Sequence, residues 1–138
     1  MTPRDLSFND IAVGMNDSFE RTISEEDVRA FSILTGDENP LHMDETYAAT
    51  TKFGRRLVHG MFVASLTSTL VGMYLPGKRC LYLREHLDFK KPVFIGDTVS
   101  VRGEVIQKSD ATGILEIAVS ITKGDETVVE GTATVQVL

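Results

Sequence analysis

The chain has 138 residues, about the size of one domain, and 42% of them are apolar, enough to build a packed core. Twenty acidic against fourteen basic residues give a formal net charge of -6, which argues against nucleic acid as a partner, because nucleic-acid binding needs a basic excess. The opening MTPRDLSFND lacks the apolar core of a signal peptide, and the apolar run LVHGMFVASLTSTLVGMYL carries small and hydroxylated residues instead of a clean membrane span; the expectation is a soluble, cytoplasmic protein with no membrane partner.

In chain order, an extended segment near AVGMNDSFERTI comes first. Ser24 with Asp27 three residues on is a capping signal, and Val28, Phe31 and Leu34 follow at helical spacing until Gly36, which is well placed to end the helix. A second short helix is expected from near Asp44 through ETYAATTK, then a basic turn, GRR, and then a long helix over roughly His59 to Tyr74 that Pro76 and Gly77 stop. Leu57, Val58, Met61, Phe62, Val63, Ala64, Leu66, Leu70, Val71 and Met73 leave that helix no continuous charged face, so it is expected to be buried. Cys80 is the one cysteine, which rules out an internal disulfide and a cysteine metal cluster and leaves the reading of a small buried hydrophobe.

From Leu81 the pattern changes to period two: Val99, Val101 and Val105, then Leu115, Ile117, Val119 and Ile121, then Val129, Gly131, Ala133, Val135 and Val137. The turn signals IGD, KSDATG and KGDE separate these runs, which therefore read as antiparallel strands with one face on a core. No linker, repeat or low-complexity segment divides the helical half from the strand half, so residues 1–138 are expected to form one domain. A central apolar helix covered by an antiparallel sheet serves both halves, and the fold class is α+β.

The stretch FSILTGDENPLHMDETYA holds the chemistry-bearing residues. Pro40 disfavours a helical backbone at Asn39, which puts Asp37 and His42 on a loop instead of a helix face. An Asp and a His that share one water can move protons both ways, each role being worth about 10² to 10⁴ in rate, and the Asn39 amide can orient the water or the imidazole. The same residues also suit a helix-capping turn, and spacing alone leaves both readings standing.

This stretch resembles the signature of the MaoC-like (R)-specific enoyl-CoA hydratases of the hot-dog superfamily: an aromatic residue, a small residue before Gly-Asp, Asn-Pro-aliphatic-His, and a small residue six places on. RRLVHGMFVASLTSTLVGMYLPGK and YLREHLDFKKPVFIGDTVSVRGEV resemble the central helix and first long strands of the short members that feed polyhydroxyalkanoate synthesis. The resemblance implies a hot-dog fold, a helix wrapped by a sheet. It implies reversible addition of water to a trans-2-enoyl-CoA, giving the (R)-3-hydroxyacyl-CoA, with Asp37 and His42 as the proton carriers and Ser65 beside them. Gly60 and Met61, at the start of the long helix, offer backbone amides to the thioester oxygen, and His59 reads as a helix-start or packing residue.

Other chemistries find no support. His42, His59 and His86 lack metal-ligand spacing, and GKR lacks the upstream glycine and the hydroxyl of a phosphate loop, so neither metal nor cofactor is expected. Coenzyme A phosphates need local cations in an acidic chain, and the candidates are Lys52, Arg55, Arg56, Lys78, Arg79, Lys90 and Lys91. So apolar a helix on one small sheet leaves surface for a second copy, and a homodimer is expected. The alternatives within the fold are a (3R)-hydroxyacyl-carrier-protein dehydratase and a non-catalytic acyl-CoA-binding module.

Overall fold

A computed structural model describes residues 1–138. The period-two runs pair into one five-stranded antiparallel sheet made of β1 (Asn16–Thr22), β2 (Cys80–Phe89), β3 (Thr98–Ser109), β4 (Ile114–Lys123) and β5 (Glu126–Val137), in the spatial order β1-β3-β4-β5-β2. The alternation decides which face is inside. Val99, Val101, Val105, Leu115, Ile117, Ile121, Ala133 and Val135 are wholly buried on one side, while Arg102, Glu104, Ser120 and Glu130 stand on the other. The register slips between Val105 and Gln107, a bulge that leaves Ile106 half exposed.

Four helices precede β2: α1 (Glu25–Thr35), α2 (Pro40–Met43), α3 (Glu45–Ala49) and α4 (Gly60–Thr69), the last continued by a π-helical turn over Leu70–Tyr74. The capping signal at Ser24 is real: the Asp27 amide donates to Ser24 Oγ at 3.1 Å and the Ser24 amide to Asp27 Oδ2 at 2.9 Å. Gly36 closes α1 at φ 80°, a conformation that glycine adopts without strain. The second helix is shorter than expected and ends at Ala49, because the Thr50 and Thr51 hydroxyls turn back to the carbonyls of Tyr47 and Ala48 at 2.7 Å.

Helix α4 and its π turn lie on the inner face of the sheet, where Val63, Leu66, Leu70 and Val71 join the core. Gly103 of β3 permits the closest approach, since a Cβ there would stand 2.8 Å from Leu70 Cδ2. The expectation that the long helix is buried all round needs correcting. Gly60, Met61, Ser65 and Ser68 form an exposed stripe, with Met61 64% exposed, because the five strands cover only one side of the helix. Strand β2 is a sheet edge and departs from clean alternation: Leu81, Leu83 and Phe89 are each about half exposed. Cys80 is half buried, and burial pushes its thiol up to about 11, away from nucleophilic chemistry. No helix is long and apolar enough to cross a membrane.

Candidate active site

The segment from Gly36 to Asp44 does not stay a loop throughout. Pro40 occupies the first position of α2, where its missing N–H costs nothing, and Asn39 caps the turn by accepting the Leu41 amide at 2.9 Å. His42 therefore sits on a single helical turn and not on a loop, since proline restrains the residue before it but suits the first position of a helix. Asp37 remains on the connecting segment, exposed, with Oδ1 accepting the Asn39 amide at 3.2 Å.

Two backbone carbonyls set the imidazoles. His42 Nδ1 lies 2.9 Å from the Leu57 carbonyl oxygen, which can only accept, so Nδ1 carries the proton and Nε2 keeps its lone pair. His59 Nε2 lies 3.0 Å from the Asp37 carbonyl oxygen, so the proton arrangement of its ring is the opposite one. The two rings stack with centroids 4.1 Å apart, and Phe31 meets the His59 ring at a tilt of 55° with centroids 4.9 Å apart. One side-chain donor atom each from Asp37, His42 and His59 fall within 4.8 Å of one another. Each imidazole commits one nitrogen to a carbonyl, and the two ring planes are inclined by 30°. Three donor atoms this close also meet the spacing of a metal-ligand set, which the positions of the histidines along the sequence did not lead one to expect.

Beside this cluster lies a cavity of about 460 Å³ lined by His42, Lys52, Gly60, Val63, Phe89 and Lys91, among others. Asp37 is not in its lining, but His42, its neighbour in the cluster, is. Helix α4 begins at this cavity with no side-chain cap, and neither the Gly60 nor the Met61 amide has an acceptor within the chain. Uncapped amides at a helix N-terminus attract an oxygen that carries partial negative charge. Gly60 also makes room, because a Cβ there would stand 3.3 Å from the Phe89 ring.

The remaining candidates divide. Lys52, Lys90 and Lys91 line the cavity, with Lys90 also 3.4 Å from Glu130. Arg55 stacks on the Phe94 ring at 3.7 Å. Arg56 is spent internally: its Nε donates to the His42 carbonyl at 2.6 Å and its Nη1 to both Glu25 carboxylate oxygens at 2.9 and 2.8 Å. Lys78 and Arg79 pair with Asp5 beyond the far end of the long helix, about 20 Å from its start at 1.5 Å per residue. The Ser65 hydroxyl donates to the Phe62 carbonyl at 2.6 Å; Ser65 is exposed and is not in the lining of the cavity beside His42. Sequence reading missed the contact between His59 and both of these residues, and no spacing rule signals a stack between rings seventeen positions apart.

Comparison with known proteins agrees with this fold. The family model described as "MaoC like domain" matches residues 9–129. The chain is 41% identical over 132 residues to the (R)-specific enoyl-CoA hydratase of Aeromonas caviae, covering 95% of this chain and 98% of that one. It is 40% identical over 134 residues to the 3-hydroxybutyryl-CoA dehydratase of Methylorubrum extorquens, covering 97% of this chain and 85% of that one. Among solved structures, the (R)-hydratase from A. caviae involved in PHA biosynthesis superposes with a TM-score of 0.90 at 40% identity, covering 93% of this chain and 98% of the other. An R-hydratase from Pseudomonas aeruginosa gives 0.92 at 32% identity, with 98% and 87% covered. A helix on a five-stranded antiparallel sheet, the GDENPLH site and matches over nearly the whole chain lead to one conclusion: the chain belongs to the MaoC-like family of hot-dog proteins.

Proposed function

We propose that this chain is an (R)-specific enoyl-CoA hydratase, a hydro-lyase that adds water reversibly to a trans-2-enoyl-CoA and gives the (R)-3-hydroxyacyl-CoA. The observation that carries the reading is the proximity of the Asp37 carboxylate and the His42 imidazole, within 4.8 Å, beside a cavity that also meets the uncapped start of α4. A water between the carboxylate and the free Nε2 of His42 is deprotonated as its oxygen attacks C3. C2 takes up a proton from the same pair, so the sum is one water added. Negative charge that develops on the thioester oxygen is received by the Gly60 and Met61 amides, which need no reorganisation to accept it. Asn39 holds the turn between the two proton carriers. The chemistry asks for neither metal nor cofactor.

Lys52 and Lys91 at the cavity, with Lys90 beside them although it also pairs with Glu130 at 3.4 Å, are our candidates for the coenzyme A phosphates, in preference to Arg56, which is engaged with Glu25, and to Lys78 and Arg79, which pair with Asp5 away from the cavity. The exposed stripe of α4 and the unpaired edge of β2, with Leu81 and Leu83 about half exposed, favour a homodimer. The test is the loss of ultraviolet absorbance of the conjugated thioester when the protein meets crotonyl-CoA, with chiral analysis of the product. Rapid loss with an (R)-3-hydroxybutyryl-CoA product is the expected result. No loss with either crotonyl-CoA or octenoyl-CoA would sink the reading and turn attention to carrier-protein thioesters.

A further inference from the structure

We infer that His59 is a positioning residue of this site: its Nε2–H fixes the Asp37 main chain while its ring fixes the plane of His42. The inference rests on the hydratase reading above. His59 is 1% exposed and stands where α4 begins, yet its side chain caps no helix amide. Instead it donates from Nε2 to the Asp37 carbonyl at 3.0 Å and stacks on His42 at 4.1 Å. Phe31 backs the ring at 4.9 Å and itself meets Phe62 edge-on at 5.6 Å, so the stack is anchored on α1 and α4 together.

The other ring nitrogen gives the argument its weight. His59 Nδ1 is buried without a hydrogen-bond partner. Leaving a buried polar atom in that state is unfavourable, because it gives up its hydrogen bond to water without a replacement. A phenylalanine would fill the same space against Phe31 and His42 without that cost. What only the imidazole supplies here is the Nε2–H, and its acceptor belongs to the residue whose carboxylate is one of the two proposed proton carriers. Asp37 is exposed on a connecting segment; its carboxylate accepts the Asn39 amide and its own amide donates to the exposed Thr35 hydroxyl at 3.3 Å, so the bond from His59 is its one hydrogen bond to a buried side chain.

Three variants test the inference in crotonyl-CoA hydration: His59→Phe, which keeps the stack and removes the donor; His59→Gln, whose amide N–H reaches the place of Nε2; and His59→Phe in an Asp37→Asn background. A misplaced reacting group costs on the order of a hundredfold, so His59→Phe is expected to lower kcat about ten- to a hundredfold while KM stays within about threefold. His59→Gln is expected to restore most of that loss, and His59→Phe to cost almost nothing further once Asp37 is Asn, because groups that act as a unit are not additive. Undiminished kcat in His59→Phe overturns the inference, as does an equal loss in His59→Gln with unchanged Tm, or a full multiplicative loss in the double variant. Should His59→Phe not fold, the smaller His59→Leu, which also lacks the donor, takes its place: a kcat at least about tenfold below that of His59→Gln supports the role, and equal kcat in the two with unchanged Tm overturns it. An inactive wild-type chain would sink the hydratase reading and this inference together, whereas an active wild type that His59→Phe leaves untouched sinks only the inference.

Discussion

The two ends of the long helix make opposite use of their polar groups. At its start, the Gly60 and Met61 amides, His42 Nε2 and His59 Nδ1 all lack partners within the chain. Beyond its end, Leu75 donates back to Leu70, Gly77 donates to Val71, and Asp5 takes both Lys78 and Arg79. One end is tied back on itself by hydrogen bonds and ion pairs; the other leaves the Gly60 and Met61 amides and His42 beside the cavity with capacity that an incoming molecule can use, while His59 Nδ1 is sealed in the interior. The difference teaches that activity and stability in this chain should be separable by position along a single helix.

The sharpest way to break that separation is Asp37→Asn. It should lower kcat about 10²- to 10⁴-fold in the crotonyl-CoA assay and leave Tm unchanged, because the carboxylate is exposed and supports no core contact. Leu70→Ala should do the reverse. Leu70 is wholly buried over Gly103, and its truncation is expected to cost about 2–5 kcal/mol in urea unfolding. Its kcat should stay within about twofold of wild type, since sites this far apart act independently. Gly60→Ala probes the boundary: the new methyl presses on Phe89 and narrows the approach to the free amides, so kcat/KM should fall about ten- to a hundredfold.

The smallest effect belongs to Asp5. Hydrogen bonds from Arg79 and Lys78 hold its carboxyl at about 2, below the ordinary 3.8. A depressed folded value stabilises at neutral pH and stops doing so as pH falls from about 4 through about 2. Asp5→Asn should therefore lower Tm slightly at pH 7, less in high salt because the pair is exposed, and less again at pH 2, where about half of the carboxyls are protonated. A Tm difference that did not shrink between pH 7 and pH 2 would show that the ion pairs are not its source.

The fold was legible where local chemistry is decisive. Ser24, Asp27 and Gly36 bound α1 by their own hydrogen bonds and backbone angle, and the alternation in β3, β4 and β5 follows from one face being buried. Strand β2 was less legible because it lies at the edge, where little burial disciplines the pattern. Helix α2 was misread because Pro40 acts in two ways, restraining Asn39 before it while starting a turn after it. In the site, Asp37 and His42 stand out as a local motif. The difference between Lys52 and Arg56 does not, because it depends on Glu25, thirty-one residues from Arg56. His59 was hidden for the same reason: its partners come from the chain's path through space.

Both imidazoles answer to main-chain carbonyls, His42 to that of Leu57 and His59 to that of Asp37. A carbonyl survives every substitution at its own position, so no single side-chain replacement at residue 57 can delete the acceptor that sets His42. The protonation pattern of the pair is thus buffered against mutation. Laboratory evolution of the cavity walls for longer or shorter acyl chains can therefore draw on Leu57 as a variable position without removing the acceptor that orients His42.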